Sequence, residues 1–110
     1  MVARTEMKRN ALLQRIKNAV LTIDPSAEVL LYGSRARGDA RPDSDWDFVV
    51  LLPTPVDDEI TQTIRHALYE IEWDTGNVIS CIVRNRDAWD ADPLAHTPLR
   101  QRVAEEGIRI

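Results

Sequence analysis

The sequence is poor in residues that form cross-links or membrane segments. It has one cysteine, Cys81, among 110 residues, which excludes an internal disulfide and fits a reducing compartment. Cys81 lies in a strand-like run and is predicted to be a small core residue. No apolar run approaches the roughly 20 residues of a membrane-spanning helix, and the N-terminus lacks the apolar region of a signal peptide. These absences predict a cytoplasmic protein.

The chain also lacks a surplus of positive charge. It has 14 Lys and Arg against 18 Asp and Glu, a formal net charge of −4. Proteins that bind nucleic acid without specificity usually carry a basic surplus, so a nucleic-acid partner is not expected. A composition of 44% hydrophobic and 29% charged residues is typical of a globular protein. The length suits one hydrophobic core, so we predict a single domain over residues 1–110.

Hydrophobic periodicity predicts helices and strands in alternation. Asp57 or Asp58 is the expected cap of the second long helix, and Thr97-Pro98 is expected to open the last one. The interval 85–96 is predicted to be irregular, with one helical turn near 87–90. The predicted helices cover 4–23, 34–38, about 57–73 and 98 to Gly107, and the predicted strands cover 28–32, 46–52, 78–83 and a short edge at 108–110. This order favours an α+β fold, α/β-like, in which helices cover a small mixed β-sheet.

The rest of the chain is organised around residues 30–52, LLYGSRARGDARPDSDWDFVVLL. The first apolar run stops at Gly33-Ser34. Glycine lets the backbone approach a phosphate closely, and serine can cap a short helix and donate its hydroxyl to a phosphate oxygen. Taken alone, a Gly-Ser pair is more typical of a plain turn between strand and helix, and the acid pair downstream reverses this preference.

Two carboxylates, Asp45 and Asp47, open the second apolar run. Side chains alternate along a strand, so the two acids are expected on one face, roughly 6–7 Å apart along the strand. Oxygen ligands at this spacing suit Mg²⁺, which takes one or two carboxylates and completes its shell with phosphate and water. The alternative is that Asp45 is an ordinary loop residue and Asp47 a solvated residue at the end of the strand. Asp is disfavoured in strands, and an unpaired charge beside an apolar run is costly. A bound cation would explain the presence of Asp47 at this position.

Together, Gly33-Ser34, ten intervening residues and Asp45-Trp46-Asp47 resemble the GS-x10-DxD signature of the DNA polymerase beta-like nucleotidyltransferase superfamily. The whole chain resembles its minimal nucleotidyltransferase (MNT) proteins. The resemblance implies a polymerase beta-like palm fold in which Asp45 and Asp47 are catalytic and bind Mg²⁺. It also implies that Gly33, Ser34 and Arg37 bind the phosphates, since GSxxRG recurs in the family. The implied reaction moves a nucleoside monophosphate, AMP from ATP, to a hydroxyl group.

The sequence departs from the family at the third acidic residue, which active members carry on the next core strand. The matching position here is about Ser80, and serine can act neither as a carboxylate ligand nor as a base. Asp74 is the nearest acid that could substitute, and Glu72 and Asp87 are further candidates. Catalytic competence is therefore open.

The resemblance also implies a protein partner. Stand-alone domains of this kind resemble the antitoxin half of a toxin–antitoxin pair with a HEPN ribonuclease, which they can silence by adenylylation. The alternative is a catalytically impaired protein of the same fold that acts as a binding partner or antitoxin. A homo-oligomer is equally compatible with the sequence.

Other polar and aromatic side chains have two interpretations each. Arg35 and Arg41 could clamp a triphosphate or belong to a solvated loop. The tryptophans could stack a base, but core packing is the preferred prediction for Trp46, Trp73 and Trp89. His66 and His96 have no second ligand at zinc spacing, so no zinc site is predicted.

Overall fold

The described part of the chain, residues 4–91 and 96–110 with side chains from Lys8 onward, forms five helices and four strands in a computed structural model. The helices are α1 (Arg4–Ile23), α2 (Ser34–Arg37), α3 (Asp58–Thr75), α4 (Arg86–Asp90) and α5 (Pro98–Glu106). The strands are β1 (Glu28–Tyr32), β2 (Trp46–Leu52), β3 (Ile79–Asn85) and β4 (Ile108–Arg109).

The four strands form one mixed sheet in the order β3-β2-β1-β4. β1 is antiparallel to β2 and to β4, whereas β2 and β3 are parallel. A parallel pair needs a crossover, and α3 provides it between β2 and β3. The predicted α+β architecture with a small mixed sheet is confirmed.

β2 lies inside the sheet and is buried on both faces, which explains its unbroken apolar sequence. Its alternate residues Trp46, Phe48 and Val50 pack into a large core with α1 and α3. Val49 and Leu51 face the other way, into a smaller core with α4 and α5. Besides these residues, the larger core includes Ile16, Val20, Leu31, Leu52, Ile64, Leu68, Ile71 and Val83, and the smaller core includes Tyr32, Trp89 and Val103.

Asp47 alternates with Phe48 and therefore lies on the face of the smaller core. It is half-buried, whereas Val49 next along that face is fully buried. The carboxylate thus lies at the margin of the smaller core, where the sheet surface is still partly open to solvent.

Element boundaries agree closely with prediction, with two corrections. β3 covers Ile79–Asn85 rather than 78–83, because parallel pairing with β2 continues to the pair of Leu52 and Asn85. Asn85 then caps α4, accepting the Ala88 N–H at 3.0 Å. α3 ends at Thr75 rather than near 73, and Asp57 is its cap. Part of the interval predicted to be irregular, 92–95, lies outside the described residues.

The prediction that the tryptophans pack in the core is right for Trp46 and Trp89 and wrong for Trp73. Trp46 and Trp89 are buried, with exposed fractions of 5% and 4%, and pack in the two cores. Trp73 is 74% exposed, because the α3 face that reaches the sheet carries Leu68 and Ile71 and Trp73 lies away from it. The Trp73 and Tyr69 rings meet edge to face, with their centroids 6.1 Å apart.

The prediction that Cys81 packs in the core is confirmed. Cys81 packs against the larger core, and burial raises the pKa of its thiol to about 12. His66 is exposed and pairs with Glu70 at 3.4 Å. Within the described ranges, no helix is both long and apolar enough to span a bilayer.

Candidate functional site

The turn after β1 depends on a glycine. Gly33 has φ +79° and ψ −161°, a backbone conformation almost restricted to glycine. Its carbonyl accepts the N–H groups of Ala36 and Arg37, both at 3.0 Å. Gly33 rather than Ser34 is therefore the N-cap of α2, and no side chain caps this helix. The prediction that Ser34 caps it is wrong, because Ser34 is already the first helical residue.

Asp47 lies directly against this turn. A Cβ atom built on Gly33 would come within 2.5 Å of Asp47 Oδ2. The strand register explains the contact, since Asp47 pairs with Tyr32, the residue before the glycine. The structure thus brings together two of the residues predicted for the site, and a side chain at position 33 would force the Asp47 carboxylate to rotate away.

The second predicted acid, Asp45, is exposed and lies in the loop just before β2. Burial raises the pKa of the Asp47 carboxyl, and the charges of Asp45 and Glu106 raise it further. Arg102 and Arg37 act in the opposite direction. The pair therefore offers oxygen donors with uncompensated negative charge, one of them partly desolvated. This donor set fits a hard divalent cation such as Mg²⁺.

Ser80 lies beside Asp47 on the neighbouring strand, in direct parallel register. This is the position that sequence analysis gave to the missing third acid. The most favoured substitute, Asp74, instead forms an ion pair with Arg15 of α1, within the helix layer. Among the described residues, no three Asp, Glu, His or Cys side chains are grouped to hold a metal ion. Glu72, Asp74 and Asp87 therefore do not complete the pair.

The structure adds a residue that sequence reasoning missed. Glu106, the last residue of α5, accepts the Gly33 N–H at 3.1 Å and the Arg37 Nη1–H at 2.7 Å, both on Oε2. It lies 73 positions from Gly33, so local patterns could not reveal the contact. The sequence placed Glu106 beside Gly107 and the short predicted strand, but only the structure shows that this strand pairs with β1 just before the glycine turn.

The arginines of the loop have different surroundings. Arg37 is shared between Asp39, at 3.1 Å, and Glu106, and these hydrogen bonds raise the pKa of its guanidinium. Arg35 instead lies over the Trp46 ring, with its Cζ 4.5 Å from the ring centroid. Its Nη2–H donates to the Ser44 carbonyl at 3.0 Å. Arg35 therefore holds the loop that leads to Asp45, whereas Arg37 lies beside the glycine turn.

Comparison with known proteins gives a match to the family model described as a nucleotidyltransferase domain, over residues 13–108. Among curated proteins, no match to the sequence was found.

Three solved structures illustrate the likeness in fold. A toxin–antitoxin crystal structure with AMP-PNP gives a TM-score of 0.63 at 18% identity, over 87% of this chain and 69% of that chain. A mutant of the MntA–HpeT toxin–antitoxin gives a TM-score of 0.56 at 15% identity, over 91% of this chain and 69% of that chain. The Cid1 poly(U) polymerase with MgGTP gives 0.54 at 21% identity, over 79% of this chain and 34% of that chain.

Two alanine substitutions test the close contact at the turn. Gly38 also has a positive φ, +86°, but a Cβ there would meet nothing within 4 Å. We expect Gly38→Ala to lower the free energy of unfolding by about 1–2 kcal/mol from backbone strain alone. Gly33→Ala combines a backbone conformation that is almost restricted to glycine with a contact that forces the Asp47 carboxylate to rotate, and we expect a larger loss, about 2–3 kcal/mol. Urea denaturation of both variants measures the difference, and equal losses would show that the Asp47 contact does not constrain the turn.

The raised pKa of Asp47 predicts a dependence of stability on pH. The folded state holds this proton more tightly than the unfolded chain, whose carboxyl titrates near 3.8. Stability is therefore expected to fall as pH rises from that value through the raised pKa of the folded state. In Asp47→Asn this part of the decline should vanish in buffers without divalent cations. The matched control is Asp43→Asn, an exposed acid of the same loop, which should keep the wild-type profile. Parallel profiles for all three proteins in urea denaturation would contradict the burial argument.

Proposed function

Because the chain belongs to the nucleotidyltransferase domain family, we propose that it binds a nucleoside triphosphate with Mg²⁺ and transfers the nucleoside monophosphate, AMP from ATP, to a hydroxyl group, with release of pyrophosphate and of the hydroxyl proton. Membership confirms the predicted resemblance to nucleotidyltransferases. The observation that carries the proposal is the contact between Asp47 and the Gly33 turn. This contact sets a carboxylate beside the backbone that would face a phosphate.

The site residues divide into two groups. Asp45 and Asp47 are proposed to hold Mg²⁺, which when bound neutralises charge on the triphosphate and favours ionisation of the attacking hydroxyl. The Gly33 turn, Ser34 and Arg37 are proposed to bind the phosphate oxygens. Arg37 suits this role because its guanidinium offers several donors in one plane and keeps its charge at any physiological pH.

Ser80 bears on the rate rather than on binding. Beside Asp47, where active members of the family are expected to carry a third carboxylate, it offers only a hydroxyl. It cannot accept a proton from the attacking group at neutral pH or add negative charge for a second metal ion. We therefore propose slow transfer from a site that still binds nucleotide.

The proposed acceptor is a hydroxyl on a partner protein, of the HEPN-toxin type. Two of the structures similar in fold are toxin–antitoxin assemblies, and one of them contains AMP-PNP. At 18% identity and below they support the fold alone, so the partner rests on the family expectation.

The second candidate function is inhibition of a partner by contact without transfer. Ser80 in the third-acid position favours it. The preserved Asp45 and Asp47 pair disfavours it, since a surface used only for contact has no need of a metal pair.

An AMP-transfer assay tests the two candidates. Purified protein, Mg²⁺ and α-labelled ATP are incubated with the product of the neighbouring gene. We expect label on the partner, and we expect Asp45→Asn and Asp47→Asn to lower the labelling rate at least about 100-fold because each removes a carboxylate from the metal pair. Asp43→Asn is the matched control for charge. Nucleotide binding without label on either protein would favour inhibition by contact, and loss of nucleotide binding as well would contradict the metal-site assignment.

Restoring the third carboxylate tests the role of Ser80. Ser80→Asp places an acid beside Asp47, and we expect it to raise the transfer rate about 10²-fold, the usual contribution of a positioned base. Ser80→Asn has the same size without the charge and should leave the rate within about twofold of wild type. A rate for Ser80→Asp equal to that of Ser80→Asn would show that proton transfer at this position does not limit the reaction.

A further inference from the structure

Glu106 occupies donors that the proposed reaction requires for phosphate. Its Oε2 accepts from both Gly33 N–H and Arg37 Nη1. Hydrogen bonds of this kind, with one or both partners charged, are stronger than neutral ones. The Gly33 N–H is buried, so it needs an acceptor whenever no ligand supplies one. In the nucleotide-free protein, the acceptor is this carboxylate.

The backbone, rather than a freely rotating surface side chain, sets the position of Glu106. The Gly107 N–H closes α5 on the Val103 carbonyl at 2.8 Å. The next two residues then pair with β1, beside the glycine turn. The Glu106 side chain is only 15% exposed, whereas the adjacent Glu105 points into solvent. The contact is therefore built into the junction of α5 and β4.

Two anions cannot use the Gly33 N–H together, and the Arg37 Nη1–H is engaged by the same carboxylate. One N–H group makes one strong hydrogen bond, and a phosphate that reached Gly33 and Arg37 would meet the Glu106 carboxylate at close range. Like charges at such a distance repel strongly where solvent is partly excluded. Binding of a phosphate at this turn must therefore be an exchange.

We propose that Glu106 occupies the phosphate-binding donors in the nucleotide-free protein and is exchanged for a phosphate group when the Mg²⁺-nucleotide binds. The inference rests on the proposed function, since it concerns the same turn. Glu106 then acts as a tethered competitor: it stabilises the free site and lowers the affinity for nucleotide. Arg37 changes partner from a carboxylate to a phosphate and retains its second partner, Asp39.

Isothermal titration calorimetry with AMP-PNP and Mg²⁺ tests the exchange, since this analogue binds without transfer. Glu106→Gln keeps the size of the side chain and removes its charge. We expect it to bind AMP-PNP about tenfold more tightly than wild type, the scale of one hydrogen bond to a charged group. Glu105→Gln makes the same change of charge on the exposed neighbour and should stay within about twofold of wild type.

A second variant separates the contact from simple repulsion. Glu106→Asp keeps the charge but shortens the side chain by one methylene, so it should lose the Gly33 hydrogen bond. We expect Glu106→Asp also to bind more tightly than wild type. If Glu106→Gln binds more tightly but Glu106→Asp binds with wild-type affinity, the effect comes from the charge at position 106 alone and not from the hydrogen bond to Gly33. That result would overturn the exchange. Thermal unfolding establishes that each variant is folded.

The remaining outcomes distinguish this inference from the proposed function. Weaker binding by Glu106→Gln would make Glu106 a positioning residue for Arg37 and overturn the exchange, while nucleotide binding by the wild type would leave the proposed function standing. Equal binding by wild type and Glu106→Gln would also overturn the exchange and leave the proposed function standing. If no form binds AMP-PNP, the wild type included, both the proposed function and the exchange are wrong.

Discussion

The antiparallel register of β1 and β2 is the constraint on which the site depends. It pairs Tyr32 with Asp47 and so sets the glycine turn, one residue further on, against a carboxylate that enters from another strand. The buried apolar residues of β2 hold this register, because a slip by one residue would turn Phe48 toward the smaller core and Asp47 into the larger one. The packing of the two cores and the geometry of the site are thus one requirement.

The site is also a balance of charges. Three carboxylates, Asp45, Asp47 and Glu106, lie near two guanidinium groups, Arg37 and Arg102. Without a cation, burial and mutual repulsion disfavour ionised Asp47, and the arginines offset only part of this cost. The proposed ligand brings positive and negative charge together and so matches this mixture of charges. A magnesium–triphosphate complex has this property.

Much of this arrangement could be read from the sequence, because local patterns determine it. The bounds of α1, β1 and β2 follow from periodicity, and the spacing from Gly33 to Asp47 indicated the turn and the acid pair. Contacts between distant segments were beyond reach. Neither the carboxylate of Glu106 at the turn nor the stacking of Arg35 on Trp46 leaves a local signal. Parallel pairing lengthened β3 past its apolar residues, and Trp73 was misjudged although it lies off the apolar face of α3 that carries Leu68 and Ile71.

The short β4 has a consequence for how the protein is made. It pairs with β1, which belongs to the first third of the chain, and it begins two residues after Glu106, the residue that satisfies the Gly33 N–H. The helices and the inner strands can collapse while synthesis continues, since their contacts are mostly closer in sequence. The turn, however, gains its last partner only after residues 106–109 have left the ribosome. In a nascent chain, the Gly33 N–H and the Arg37 guanidinium therefore lack their Glu106 partner until synthesis has passed that residue.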